Sequence, residues 1–213
     1  MKYIILFYSV LFFIPGFSQT INLNENHIEN YLRNQQLLKQ TDSLNTFTIR
    51  PISNKQNQFN YFKIISNSSS KIRISLLPVD YITNFNSKVP YNYNNGSMIP
   101  SKGLQQIFSP GIHFNFGVIS IQLKPEHVFS ENKFFNGFSE NHYDVIWQRR
   151  YNAWNKYDIP ERFGDKSFKK IYLGQSSLKL NFRNFSIGFS SENLWWGPSI
   201  RNSIMMSNNA KGF

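Results

Sequence analysis

The side chains of this sequence best able to do chemistry are few. There are four histidines, His27, His113, His127 and His142, and no cysteine. That removes thiolate metal sites and disulfide frameworks, and no two histidines have the spacing of a helical metal site. Glu126-His127 and His142 with Asp144 are carboxylate–imidazole neighbours of the kind general acid–base catalysis uses. Isolated neighbours of this sort are usually ordinary structure. The sequence also has no phosphate-cradling glycine loop, nucleophile elbow or His-Glu-x-x-His run. The expectation is a protein that is not an enzyme and uses no cofactor or metal.

Aromatic spacing is more suggestive. Tyr143, Trp147, Tyr151 and Trp154 recur at intervals of four, four and three, which puts them on one helical face. Arg149 and Arg150 lie among them. Flat rings can stack on sugar rings, and guanidinium groups pair with uronates and other acidic groups. The plainer alternative is that the stripe packs its helix onto the rest of the fold. Trp195 and Trp196 suit either a sugar platform or an anchor at a membrane interface. These eight residues are the candidate polysaccharide-binding set.

The elements that must position them are mostly strands. Apolar and polar residues alternate in Ile72–Leu76, Ile112–Phe116 and Ile119–Lys124. The clearest case is Leu178–Phe182, then Arg183-Asn184, then Phe185–Ser190, a hairpin with a two-residue turn and one apolar face. Asn45–Ile52, Phe59–Ser66 and Ile200–Ser207 are weaker strands, for about eight in all. Asn24 as N-cap and Glu25 in the first turn open a helix with Ile28, Tyr31, Leu32 and Leu38 as its apolar stripe, ending near Gln40. Residues 1–18 read as a cleaved signal peptide, with Lys2 ahead of an apolar run too short to span a membrane. Residues 19–44 then form a helical segment, and residues 45–213 the β region.

Two architectures give such strands: a water-soluble sandwich with the apolar faces inside, or an outer-membrane barrel with them against lipid. Loop lengths favour the barrel. Short turns fall at Asn67–Ser70, Gly117 and Arg183-Asn184, and long connections at Pro78–Ser109 and Ser130–Lys170, so short and long alternate as in barrels. The predicted fold class is therefore all-β, an antiparallel transmembrane β-barrel, incomplete in this chain, with a short N-terminal helix. Composition agrees: 17% of residues are aromatic and 16% charged, against about 25% charged in average domains. The net charge is +11. Lys71, Arg73, Lys124, Lys179 and Arg183 oppose the apolar stripes, so they either make a positive, anion-attracting interior or merely solvate a rim. Nucleic acid is not an expected partner of an exported chain that lacks base-reading modules. Asn94-Asn95-Gly96 reads as a tight turn with Gly96 at positive φ, and Pro125 as a break in strand pairing.

Four stretches resemble the capsule-assembly Wzi family of outer-membrane proteins, in the form found in Bacteroidetes-type bacteria. They are Pro90-Tyr91-Asn92-Tyr93-Asn94-Asn95-Gly96-Ser97 through Gly103, Ile119–Glu126 continuing to Glu131-Asn132, Ile159-Pro160-Glu161-Arg162-Phe163-Gly164, and Glu192-Asn193-Leu194-Trp195-Trp196-Gly197-Pro198 through Ala210. Trp195-Trp196-Gly197-Pro198 is the most specific of them, and Pro198-Ser199 stands where the family often has Pro-Gly. The resemblance implies an outer-membrane barrel with an N-terminal helical element and a lectin-like role in assembling and attaching capsular or other extracellular polysaccharide. Family members are considerably longer, so the chain is expected to be an N-terminal fragment. The expected partners are an acidic polysaccharide, bound less tightly as salt rises, and outer-membrane lipid. The alternatives are a structural component of a gliding or surface-secretion machine, a porin, and an outer-membrane lipase. The lipase would need a Ser–His pair on the barrel wall, which no spacing singles out.

Overall fold

The computed structural model describes residues 19–21, 23, 26–40, 46–54, 72–157, 160–182 and 185–212. The predicted signal peptide, Asn24, Glu25, the strand Phe59–Ser66, the turn Asn67–Ser70, Lys71 and the turn pair Arg183-Asn184 lie outside the described residues.

The described chain is mostly antiparallel β-sheet with two helices. Strand β1 (Gln19–Ile21) precedes helix α1 (Asn26–Leu37), and β2 (Ile49–Arg50) and β3 (Ile52–Asn54) follow it. Ile28 and Leu32, one helical turn apart, pack with Ile21 and Phe47, while Glu29 binds Arg33 one turn on. Tyr31 and Leu38 are exposed, so the apolar stripe of α1 is narrower than the sequence suggested. The helix closes at Lys39, whose φ of 55° supports a left-handed terminal turn.

A seven-stranded sheet forms the body of the fold. Strands β4 (Ile72–Asn86) and β5 (Gly103–Phe116) pair along almost their whole length. The other edge of β5 takes β6 (Ile119–Leu123) on its second half and β7 (Glu126–Ser130) on its first. Next come β8 (Phe168–Tyr172) on β7 and β9 (Ser177–Asn181) on β6, and finally β10 (Ser186–Ser190) on β9. In effect β6 and β7 are one strand broken at Lys124-Pro125, because Pro125 has no N–H for the ladder. The neighbouring strand breaks at the same level, between β8 and β9. There Gly174, at φ 60°, approaches the carbonyl of Lys124 so closely that a Cβ would lie 2.5 Å from it.

Two expectations about boundaries are corrected. The first long connection is residues 87–102, not Pro78–Ser109, because β4 runs through Pro78. The register shifts between Leu77 and Asp80, and this bulge accommodates a residue without a donor. Ile200–Ser207 is not a strand but a series of bends; the final strand is instead β11 (Trp195–Trp196), paired with β2. The β9–β10 hairpin is formed as read, closed by the Phe182 N–H on the Phe185 carbonyl at 2.8 Å.

The sheet is buried on its polar face. Along β5 and β6 the buried side chains are Gln105, Ser109, His113, Asn115, Ser120 and Gln122, with Ile107 the one apolar member. The opposite face carries Phe108, Phe116, Leu123, Leu178, Ile187 and Phe189, all exposed, Phe189 by 85%. Residues 92–101 and 191–212 contribute many of the contacts on the polar side. The apolar clusters are small, the larger one being Met98, Ile107 and Val128 with Ile82, Phe168 and Tyr172. No helix among the described residues is long and apolar enough to cross a membrane.

Candidate functional site

Helix α2 (Asp144–Tyr157) lies in the connection 131–167 between β7 and β8. This connection and residues 87–102 leave the same end of the sheet, and the turns after β5 and β9 lie at the other end. Its base is tied across the gap. The Asn132 side-chain amide donates to the carbonyls of Phe163, Gly164 and Lys166 at 3.0–3.1 Å, joining the outgoing chain to the returning one. Hydrogen bonds from Lys133 and from the Leu104 N–H hold the half-buried Glu131 carboxyl below its ordinary range.

Glu161 closes the connection over α2. It pairs with Arg150 at 2.5 Å and accepts the Phe138 N–H at 3.1 Å. Burial alone would raise its pKa. The bonds from Arg150 and Phe138 and the charges of Arg150 and Arg162 outweigh burial and leave it lowered. Arg162 donates to the Phe135 carbonyl at 2.7 Å and lies over the Phe134 and Phe135 rings.

Phe138 is the hub of the aromatic group. His142 lies 4.4 Å from it, Trp147 meets it edge-on at 5.1 Å, and the Arg150 guanidinium covers it at 4.1 Å. Trp147 and Tyr151 are neighbours, with centroids 5.9 Å apart and planes 32° from parallel. Tyr143 precedes the helix and is 84% exposed, its carbonyl accepting the N–H groups of Ile146 and Trp147. Tyr151 and Arg149 are exposed. Trp154 is on α2, with its side chain outside the described residues. Six of the eight sequence candidates thus share one connection, and within it Arg150 is already engaged by Glu161 and Phe138.

Trp195 and Trp196 sit elsewhere. The Trp195 ring is buried beneath the Arg50 guanidinium at 4.8 Å. Arg50 also binds Glu29 at 3.2 Å, the Gly197 carbonyl at 3.2 Å and the Ser199 carbonyl. Trp195 therefore belongs to a clasp between α1 and β11, whereas Trp196 is 42% exposed.

On the buried polar face, Lys124 pairs with Asp80 and Lys179 with Glu192, both at 2.9 Å. Two of the cations read as a positive interior are therefore neutralised in place. Three of the family-like stretches meet here. Glu126 accepts from Ser97 and from Gln175, whose side-chain oxygen Oε1 accepts the Asn193 N–H. Asn208 bonds both Asn193 and the carbonyl of Asn94, beside Gly96 at φ 59°. The remaining stretch, Ile159–Gly164, reaches Asn132 through Phe163 and Gly164.

One grouping was missed by sequence reasoning. His113 Nε2 lies 2.8 Å from Ser120 Oγ, both buried. The signal was present, because a turn at Gly117 sets His113 and Ser120 diagonally on one face of the hairpin. Both are closed off from solvent. Among the described residues no group of three acidic or imidazole side chains is placed to hold a metal ion.

No family model matches this sequence, and neither a curated protein nor a solved structure matches it.

Proposed function

We propose that this chain belongs to an outer-membrane β-barrel that holds extracellular polysaccharide at the cell surface, like the capsule-assembly family its sequence resembles, without covalent chemistry. The observation that carries this reading is the inverted burial of the sheet: polar side chains inside, Ile, Leu and Phe outside. In water so large an apolar face is a liability. Against hydrocarbon it is the favourable arrangement; the described sheet is open, and the proposed barrel would have to pair its edge strands to close the wall. The exposed rings of Tyr143 and Tyr151 in a long connection supply the sugar-facing surface.

The test is a deletion strain. Its outer-membrane fraction should lose this protein and its surface polysaccharide should be shed into the medium. A strain that keeps its polysaccharide but spreads poorly would replace the tether with a role in a motility machine.

A further inference from the structure

The +11 charge of this chain favours an acidic ligand, but that charge is not where the exposed rings are. Residues 131–167 carry six basic side chains (Lys133, Arg149, Arg150, Lys156, Arg162, Lys166). They also carry six acidic ones (Glu131, Glu140, Asp144, Asp158, Glu161, Asp165), half of the twelve in the chain. The connection is electroneutral. Three of its cations are also engaged within it. Glu161 holds Arg150, Glu131 holds Lys133, and Arg162 spends its guanidinium on the Phe135 carbonyl and two phenyl rings. An anionic sugar reaching for Arg150, the cation that covers the Phe138 ring, would have to displace a carboxylate.

Apolar faces are what the connection offers instead. Trp147 and Tyr151 form a shallow double surface, their planes within 32° of each other, and the Tyr143 ring stands clear of the helix start. Such rings bind the C–H face of a pyranose through contact area and the ring quadrupole, neither of which requires charge on the sugar. We propose that the polysaccharide site on α2 selects uncharged, hydroxyl-rich glycan and binds it independently of salt. This rests on the polysaccharide-tether reading above and names the ligand class of that same site.

The experiment uses the full chain in detergent micelles. Its binding is measured to a panel of neutral glucans, mannans and galactans, to polygalacturonate, and to the polysaccharide of its own cells. Each is measured at low salt and again at about 1 M, where the Debye length is roughly 3 Å. The expected result is binding to at least one neutral polymer that changes less than about twofold with salt. Tyr151→Ala should weaken it about tenfold, and Tyr151→Phe, which keeps the ring, should restore it. Tyr151 is 62% exposed, so neither change threatens the fold. Binding to acidic polymers alone, lost as salt rises, overturns the neutral-ligand inference and leaves the tether standing. Binding to no polymer, the cell's own included, overturns both.

Discussion

Arg50 is the side chain on which most distant pieces converge: Glu29 from α1, the carbonyls of Gly197 and Ser199, and the Trp195 ring. Removing it leaves a buried carboxylate with Arg33 alone. Arg50→Met should cost about 3–5 kcal/mol, the usual penalty for breaking one partner out of a buried pair. The midpoint of urea unfolding in micelles measures it. Arg50→Lys should not restore the midpoint, since an ammonium lacks the planar fork that serves several acceptors at once. Glu161 gives a pH prediction. Its folded pKa is lowered, so the stabilisation it lends the α2 connection is complete above its ordinary value of 4.5. That stabilisation is lost as pH falls below 4.5 and through the lower folded value. Trp147, two contacts away through Phe138, reports this as an emission change on the acid side that Glu161→Gln abolishes.

At the scale of elements, Gly188 decides whether β10 can join the sheet. A Cβ there would collide with the Leu178 carbonyl oxygen across the hairpin. Gly188→Ala should therefore lower stability by roughly 1–3 kcal/mol, as forced overpacking does, and expose residues 185–190 to protease. Such elements also show what the sequence could reveal. The β9–β10 and β5–β6 hairpins were legible because alternation and turn chemistry agree there. The extent of β4 was not, because a proline reads as a strand end unless the bulge that tolerates it is known. Ile200–Ser207 has apolar residues at 200, 204, 205 and 206 without a regular alternation, and it forms no strand. Trp195 and Trp196 read alike in sequence, but strand geometry sends neighbours to opposite faces, one into the Arg50 clasp and one outward. The engagement of Arg150 depended on Glu161, eleven positions away and beyond the end of α2, a pairing that no local pattern specifies.

For the whole molecule, the two architectures open at the start now differ in one measurable respect. If the outer face of the sheet meets lipid, Leu180→Arg should cost about 2–4 kcal/mol near the bilayer midplane and block assembly into phospholipid vesicles. The readout is loss of the heat-modifiable band on a denaturing gel. A soluble, monomeric wild-type protein with that face covered by its own chain would instead defeat the barrel. Thr20 on β1 bonds Gln122 and Glu192, and Glu192 lies 172 positions later. The ribosome makes the first partner long before the last, so this contact waits until residue 192 has been made. A half-finished chain carries its greasy strands with nothing to settle against. If the polypeptide is exported as proposed, its delivery is therefore a problem of custody: an escort would have to keep it unfolded until residue 192 has been made.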